Sequence, residues 1–140
     1  RDPPDGQFSR PPLFEELGSG LVSTAPDVLR FFLALADGGD PVLERESVAL
    51  MTADALTAEL RRQALPIVGP GASWGLATAV DLEAAESWMA PGRFGWNGGT
   101  GTTAFVDPVR GTVGVLLTQR ELTGPDDTFD DFWTAVADAA

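Results

Sequence analysis

The sequence has no cysteine, histidine, lysine or tyrosine. Without cysteine there is no disulfide and no thiol nucleophile, and without cysteine and histidine there is no zinc site of the usual ligands. A chain without cysteine also carries no mark of its redox compartment. A serine nucleophile needs a proton acceptor beside it, usually His, Lys or Tyr, and this chain supplies none of the three. Positive charge is scarce as well. All nine basic residues are arginine, against 21 acids, and the formal net charge is −12. After Arg120 no base follows, while Glu121, Asp126, Asp127, Asp130, Asp131 and Asp138 do. That balance argues against nucleic acid, whose phosphates require a basic face. Long apolar runs are missing too: no stretch approaches the ~18 residues of a membrane span. What remains for chemistry is carboxylates, hydroxyls, arginine and backbone.

The 140 residues are 44% hydrophobic and 21% charged, the composition of one globular domain with a core of its own. Residues 1–17 read as irregular, with a turn at Pro4-Asp5-Gly6 and a Pro11-Pro12 pair. A turn so near the first residue, with no strand before it, reads either as a loose terminus or as a chain that begins inside a larger protein. A helix is predicted over 25–37. Thr24 is placed to cap it, with Asp27 completing a capping box. Pro26 lies in the first turn, where its missing N–H costs nothing. Val28, Leu29, Phe31, Phe32, Leu33 and Leu35 give a wide apolar face, and Gly38-Gly39 offers a left-handed exit.

A second helix is expected at 44–51, helix or loop at 55–64, and a linker from Pro66 to Gly71. Ser73–Val80 reads as one strand. Thr102–Val106 and Thr112–Gln119 read as strands joined by the turn Asp107–Gly111, an antiparallel hairpin. A last helix is expected at 127–139, capped by Asp126 or Asp127. Its stripe Phe129, Phe132, Trp133 and Val136 recurs at helical spacing. Strands in hairpin order with helices before and after them imply an α+β fold, a three-stranded antiparallel sheet with packed helices.

The segment Asn97-Gly98-Gly99-Thr100-Gly101 is the main candidate site. Three glycines there leave backbone N–H groups uncovered, able to bond a ligand or an oxyanion. The other readings are a bulge that needs glycine only for packing and a phosphate cradle, which lacks the P-loop lysine. The pairs Glu15-Glu16, Asp126-Asp127 and Asp130-Asp131 read as caps and solvated faces, because neighbours on a helix diverge by ~100°. Among the tryptophans Trp74, Trp88, Trp96 and Trp133, the last reads as core and Trp96 as part of the site.

Three stretches together resemble the C-terminal part of the serine β-lactamase and penicillin-binding-protein superfamily. The nearest branch is the class C-like one, with its D-alanyl-D-alanine carboxypeptidases and esterases. Residues Gly18 to Phe31 resemble its GGGLVSTA entry into a long helix. Residues Leu43 to Thr52 resemble its LLSPESVALMT segment. Phe94 to Thr102, with Val106-Asp107-Pro108, resembles its third motif, YGHTGxTGT followed by Asp-Pro.

The resemblance implies that Trp96-Asn97-Gly98 stands at the Lys-Thr-Gly or His-x-Gly position on the strand lining the active site. The backbone N–H of Gly99 would be half of an oxyanion hole. Trp96, Asn97, Gly98 and Thr100 would border a small-molecule or peptide substrate, a β-lactam, D-alanyl peptide or ester. The family's Ser-x-x-Lys and Tyr-x-Asn motifs are absent from this sequence, so the expectation is a C-terminal fragment without its nucleophile, inactive alone. Trp96 in place of the cation makes recognition of a β-lactam carboxylate through that side chain doubtful. No cofactor and no metal are expected. Exposed apolar surface should remain, to be covered by the missing N-terminal part or by a second copy of the chain. The arginine-only, Ala- and Gly-rich composition points to a high-GC bacterial source and leaves the cellular location open. Two other readings stand beside this one. The first is a stand-alone acidic module that uses its Gly-rich edge for β-augmentation with a peptide, and the second is a purely structural remnant.

Overall fold

The computed structural model describes residues 4–6, 9–11, 13–14, 18, 20–124 and 127–140. The Pro12 half of the diproline, the Glu15-Glu16 pair and the Asp126 cap lie outside them. The order is α1 (Ala25–Ala36), α2 (Arg45–Met51), α3 (Ala58–Val68), β1 (Ala72–Trp74), β2 (Ala79–Asp81), β3 (Phe94–Gly98), β4 (Thr102–Asp107), β5 (Thr112–Leu117) and α4 (Asp130–Asp138). The sheet has five strands rather than the expected three, all antiparallel and in sequence order β1-β2-β3-β4-β5.

Local signals explain α1. Thr24 Oγ1 accepts the Asp27 N–H at 3.4 Å, the N-cap the sequence predicts, while Asp27 Oδ2 accepts from the Thr24 hydroxyl at 2.8 Å instead of from the backbone N–H that a full capping box would use. The helix ends where Gly38 and Gly39 take φ +87° and +104°, and their N–H groups bond Leu35 and Ala34 carbonyls. In the Asp107–Gly111 turn, Asp107 Oδ1 accepts from the N–H groups of Val109 and Arg110 at 2.9 and 3.0 Å.

Three expectations are corrected. The single strand 73–80 is a hairpin: β1 and β2 fold back at Gly75–Thr78, where the Gly75 N–H bonds the Thr78 carbonyl at 2.8 Å. A Cβ on Gly75 would lie 1.9 Å from the Met51 carbonyl, so the end of α2 presses on this turn and only glycine fits. The linker expected from Pro66 to Gly71 begins later, because α3 runs through Pro66 to Val68 and exits at Gly69 with φ +82°. Thr57 caps the start of α3 on the Leu60 N–H. Arg61 ties it to Asp54 and to the fully buried Ser73 of β1. Finally, α4 begins at Asp130, with Phe129 in the cap position and no side-chain cap. Asp127 bonds elsewhere.

The register sorts the side chains into two layers. Directly opposed strand residues share a face. The row Val80–Phe94–Val106–Val113 faces α1 and α2, against Leu35, Val48, Phe32, Leu43 and Met51. The neighbouring row, with Phe105 and Gly114, faces α4, where Phe129 and Trp133 pack with Leu116, Leu122, Phe132 and Val136. Each large apolar side chain buried here contributes about 1.5–3 kcal/mol. The expected stripe of α4 is that contact. Gly114 makes room for it, since a Cβ there would sit 2.5 Å from the Trp133 ring. No helix among the described residues is long and apolar enough to cross a membrane.

Candidate functional site

The glycine segment forms the tip of the β3–β4 hairpin. Gly98 pairs with Thr102, leaving residues 99–101 as the loop, and the Gly101 N–H bonds the Gly98 carbonyl at 3.0 Å. Thr100 has no positive φ, whereas Gly101 has φ +86°. A type I turn over Gly98–Gly101 ending in a left-handed glycine accounts for both facts. Gly99 is the second residue of that turn. It is exposed, and a Cβ on it would meet nothing within 4 Å. The Gly98 carbonyl points into the turn, so the Gly99 N–H of the same peptide plane points out of it. Among the described residues it has no hydrogen-bond partner.

The adjoining strand has an open margin. In an antiparallel ladder alternate residues bond alternate neighbours. The Asp81 N–H donates to the Arg93 carbonyl and Ala79 pairs with Gly95, so 93, 95 and 97 turn their backbone groups toward β2. The β2 pairing stops at Ala79. Beyond it, Asn97 faces a margin with no strand partner among the described residues. The glycine segment therefore sits at a sheet margin although β3 is an interior strand at its other end.

The side chains around the margin come from four elements, β1, β3, β4 and α4. Trp96 is 38% exposed and meets Trp74 of β1 edge to face, ring centroids 4.6 Å apart. Asn97 is exposed, but its Oδ1 is held: Thr103 Oγ1 donates to it at 2.6 Å. Trp133 Nε1 in turn donates to Thr103 Oγ1 at 3.2 Å. An indole N–H only donates, so the Thr103 proton goes to Asn97 and the polarity of the relay is fixed. Gly98 is half-buried, and Thr100 is exposed at the tip.

Trp96, Asn97, Gly98, Gly99 and Thr100 thus lie together, as expected from their adjacency. Trp74, Thr103 and Trp133 are the partners the sequence did not show, because they arrive from β1, β4 and α4. Trp133 is core, as expected, and also a donor into this network.

Behind the hairpin lies the buried pair Asp81–Arg93, 3.1 Å apart. The Arg93 guanidinium sits over Phe105, Trp133 and Trp88, at 3.8, 4.4 and 4.8 Å from the ring centroids. Burial raises the Asp81 carboxyl to about 6, with Arg93 opposing and Asp107 adding to the rise. Burial also lowers Arg93 from its usual value, against the pull of Asp81. Asp107 stays below the usual carboxylate range. Its own burial works against that, and the hydrogen bonds from Arg110 and Val109 and the Arg110 charge outweigh it. These groups hold the sheet together and do not face the margin. Among the described residues no three acidic side chains gather as a metal ligand set.

The chain is similar to several known proteins. Protein Rv1367c of Mycobacterium tuberculosis strain H37Rv and the uncharacterized protein MT1414 of strain CDC 1551 are each 38% identical over 121 residues, 79% of this chain. The chain spans 30% of the length of these curated relatives. Of solved structures, EstCE1, described as a hydrolase with promiscuous acyltransferase activity, superimposes with a TM-score of 0.67. It is 27% identical and covers 86% of this chain and 30% of its own. Unliganded simvastatin synthase (LovD) from Aspergillus terreus gives a TM-score of 0.60 at 22% identity, over 79% of this chain and 34% of its own, a likeness of fold. The family model called Beta-lactamase matches residues 1–139. With an α+β frame, a glycine hairpin at an open sheet margin and a match over nearly its whole length, the chain belongs to the beta-lactamase family.

Proposed function

We propose that this chain forms one wall of the acyl-transfer site of a serine hydrolase whose nucleophile and base are carried by the rest of the protein. In this reading the Gly99 N–H is one oxyanion donor. The Asn97 backbone bonds the substrate along the open margin of β3, and Trp96 and Thr100 border the cleft. The observation that carries it is the outward, unpartnered Gly99 N–H beside an unpaired stretch of strand, a preorganised donor at a place open to a ligand. The absence of lysine, histidine and tyrosine supports placing the base elsewhere, in the class C-like and carboxypeptidase–esterase branch that the motifs resemble. Trp96 against Trp74 makes the margin aromatic rather than cationic, which favours neutral esters over carboxylate-bearing β-lactams. The exposed apolar side chains of α1 and α3, among them Phe31, Leu33, Leu65 and Ile67, are the surface that the rest of the protein would cover.

The test is reconstitution. The 140-residue chain alone should not turn over p-nitrophenyl acetate or nitrocefin. Joined to the polypeptide that carries Ser-x-x-Lys, it should release p-nitrophenol with an acyl-enzyme burst. Gly99→Pro separates donor from fold. Proline suits the second position of a type I turn but has no N–H, so turnover should fall about 10²–10³-fold. Gly99→Ala, which keeps the N–H, should remain active. Equal activity of the two variants would remove Gly99 from the oxyanion site.

A peptide-binding module remains the second reading, because the same unpaired margin of β3 is what strand addition uses. Saturable binding of extended peptides by the chain alone, abolished by Asn97→Pro, would favour it.

A further inference from the structure

We infer that the segment Thr118–Thr123 between β5 and α4 is a brace that fixes the two peptide planes flanking Gly99, with Thr118 and Asp127 as its positioning residues. Glycine is the residue least able to hold its own conformation. A turn built of three glycines needs its planes fixed from outside if a single N–H is to keep one direction.

The ties come from this one segment. The Gly101 carbonyl accepts the Thr118 N–H at 3.0 Å, and the Thr118 hydroxyl has one proton to share between that carbonyl at 2.8 Å and the Arg120 carbonyl at 3.1 Å. The Gly99 carbonyl accepts the Leu122 N–H at 2.9 Å. Gly101 in turn bonds the Gly98 carbonyl, which lies in the same plane as the Gly99 N–H. The plane before Gly99 is therefore held through Thr118 and Gly101, and the plane after it through Leu122. There is no slack at the crossing: a Cβ on Gly101 would lie 1.8 Å from the Arg120 carbonyl.

The segment has polar anchors of its own. The Arg120 N–H bonds Thr118 Oγ1 at 3.2 Å. Asp127 Oδ2 accepts from Arg120 Nη2 at 2.7 Å and from the Thr123 N–H and hydroxyl, each at 3.2 Å. The Asp127 side chain is 16% exposed, while its Arg120 partner is 73% exposed and reaches it from the solvent side. The segment borders an open pocket of about 330 Å³, lined by Leu116, Thr118, Arg120, Leu122, Asp127 and Phe132 among others. Leu122 also packs against the Phe105–Phe129–Trp133 cluster, so hydrogen bonds and contact act together on its position.

The bearing of the brace on acyl transfer rests on the role proposed above for Gly99; the brace itself does not. The experiment is amide hydrogen exchange by NMR on the 140-residue chain. Thr118→Val removes the hydroxyl and keeps the shape, and Thr118→Ser restores it. Exchange at Gly101 and Leu122 should rise about tenfold in the valine variant, the scale of one lost hydrogen bond, and the Gly99 amide shift should move. The amides of Ala104–Val106 should stay as they are, and the serine variant should match the parent. Asp127→Asn should loosen Leu122 in the same way, which keeps the test open if the valine variant folds poorly. Unchanged exchange at Gly101 and Leu122 in both variants overturns the brace. In the reconstituted protein, Thr118→Val should lower kcat and leave KM near the parent value. Raised exchange with an unchanged kcat would leave the brace standing and instead sink the oxyanion role of Gly99.

Discussion

The Asp81 carboxylate and the Arg93 guanidinium are paired 3.1 Å apart inside the protein, their side chains 4% and 2% exposed. The pair joins β2 to the entry of β3 and closes the stack of Phe105, Trp133 and Trp88 around the cation. Desolvation of two buried charges offsets much of their attraction, and the raised Asp81 carboxyl shows which wins for that group.

The pH dependence follows from that sign. The Asp81 carboxyl rises in the folded state from its ordinary 3.8 to about 6, so between those values the folded protein holds the proton more tightly than the unfolded chain. Its contribution to stability is full below about pH 4 and is lost as pH rises through 6. Asp107, held low, acts in the opposite sense as pH falls. Melting curves of the parent and Asp81→Asn should therefore diverge between about pH 4 and 6, the parent losing ground as pH rises. A constant difference across that range would contradict the assignment.

Removing the cation alone should be costly. Arg93→Met leaves Asp81 buried without a partner and should destabilise by about 3–5 kcal/mol. The double variant Asp81→Asn with Arg93→Met should recover part of that loss. Urea unfolding of the two singles and the double measures the coupling.

Two glycines two residues apart should respond in opposite ways. Gly101→Ala meets both a left-handed backbone and the Arg120 carbonyl, and the backbone alone costs about 1–3 kcal/mol. Gly99→Ala meets neither and should change stability by less than about 0.5 kcal/mol. Thermal melts of the two variants read this directly.

Thr103→Val should remove the acceptor of the Trp133 indole N–H. A buried donor left unsatisfied costs about 1–3 kcal/mol. The Asn97 amide, losing its only described partner, should sharpen toward free rotation in NMR spectra while the β3–β4 pairing persists. A variant as stable as the parent would show that water replaces the threonine.

What was legible in the sequence was local. Thr24 and Asp27 announce the start of α1 and Gly38-Gly39 its end, because caps and left-handed exits are made by residues within one turn of each other. The stripe Phe129–Val136 marks the buried face of α4, although its first turn was misjudged. Asp127 bonds back to Arg120 and Thr123 instead of capping. The strand read at 73–80 was two, since the bend at Gly75 answers to Met51 from the end of α2. Likewise α3 runs through Pro66 to Val68, and Arg61 ties its first turn to Asp54 and Ser73, partners no local pattern reveals.

By itself the sequence determined the glycine segment as the candidate site, its neighbours Trp96 and Asn97, the helical faces and the lack of any side-chain base of the usual kinds. Those follow from residue type and spacing, which act over a few bonds. Only the tertiary structure decided that β2 stops at Ala79 and leaves Asn97 uncovered. The same holds for the aromatic stack around Arg93, and for the way Thr118 and Leu122 return to hold the glycine turn. Each depends on groups far apart in sequence meeting in space, and burial and hydrogen-bond satisfaction choose those meetings only once the layers have packed.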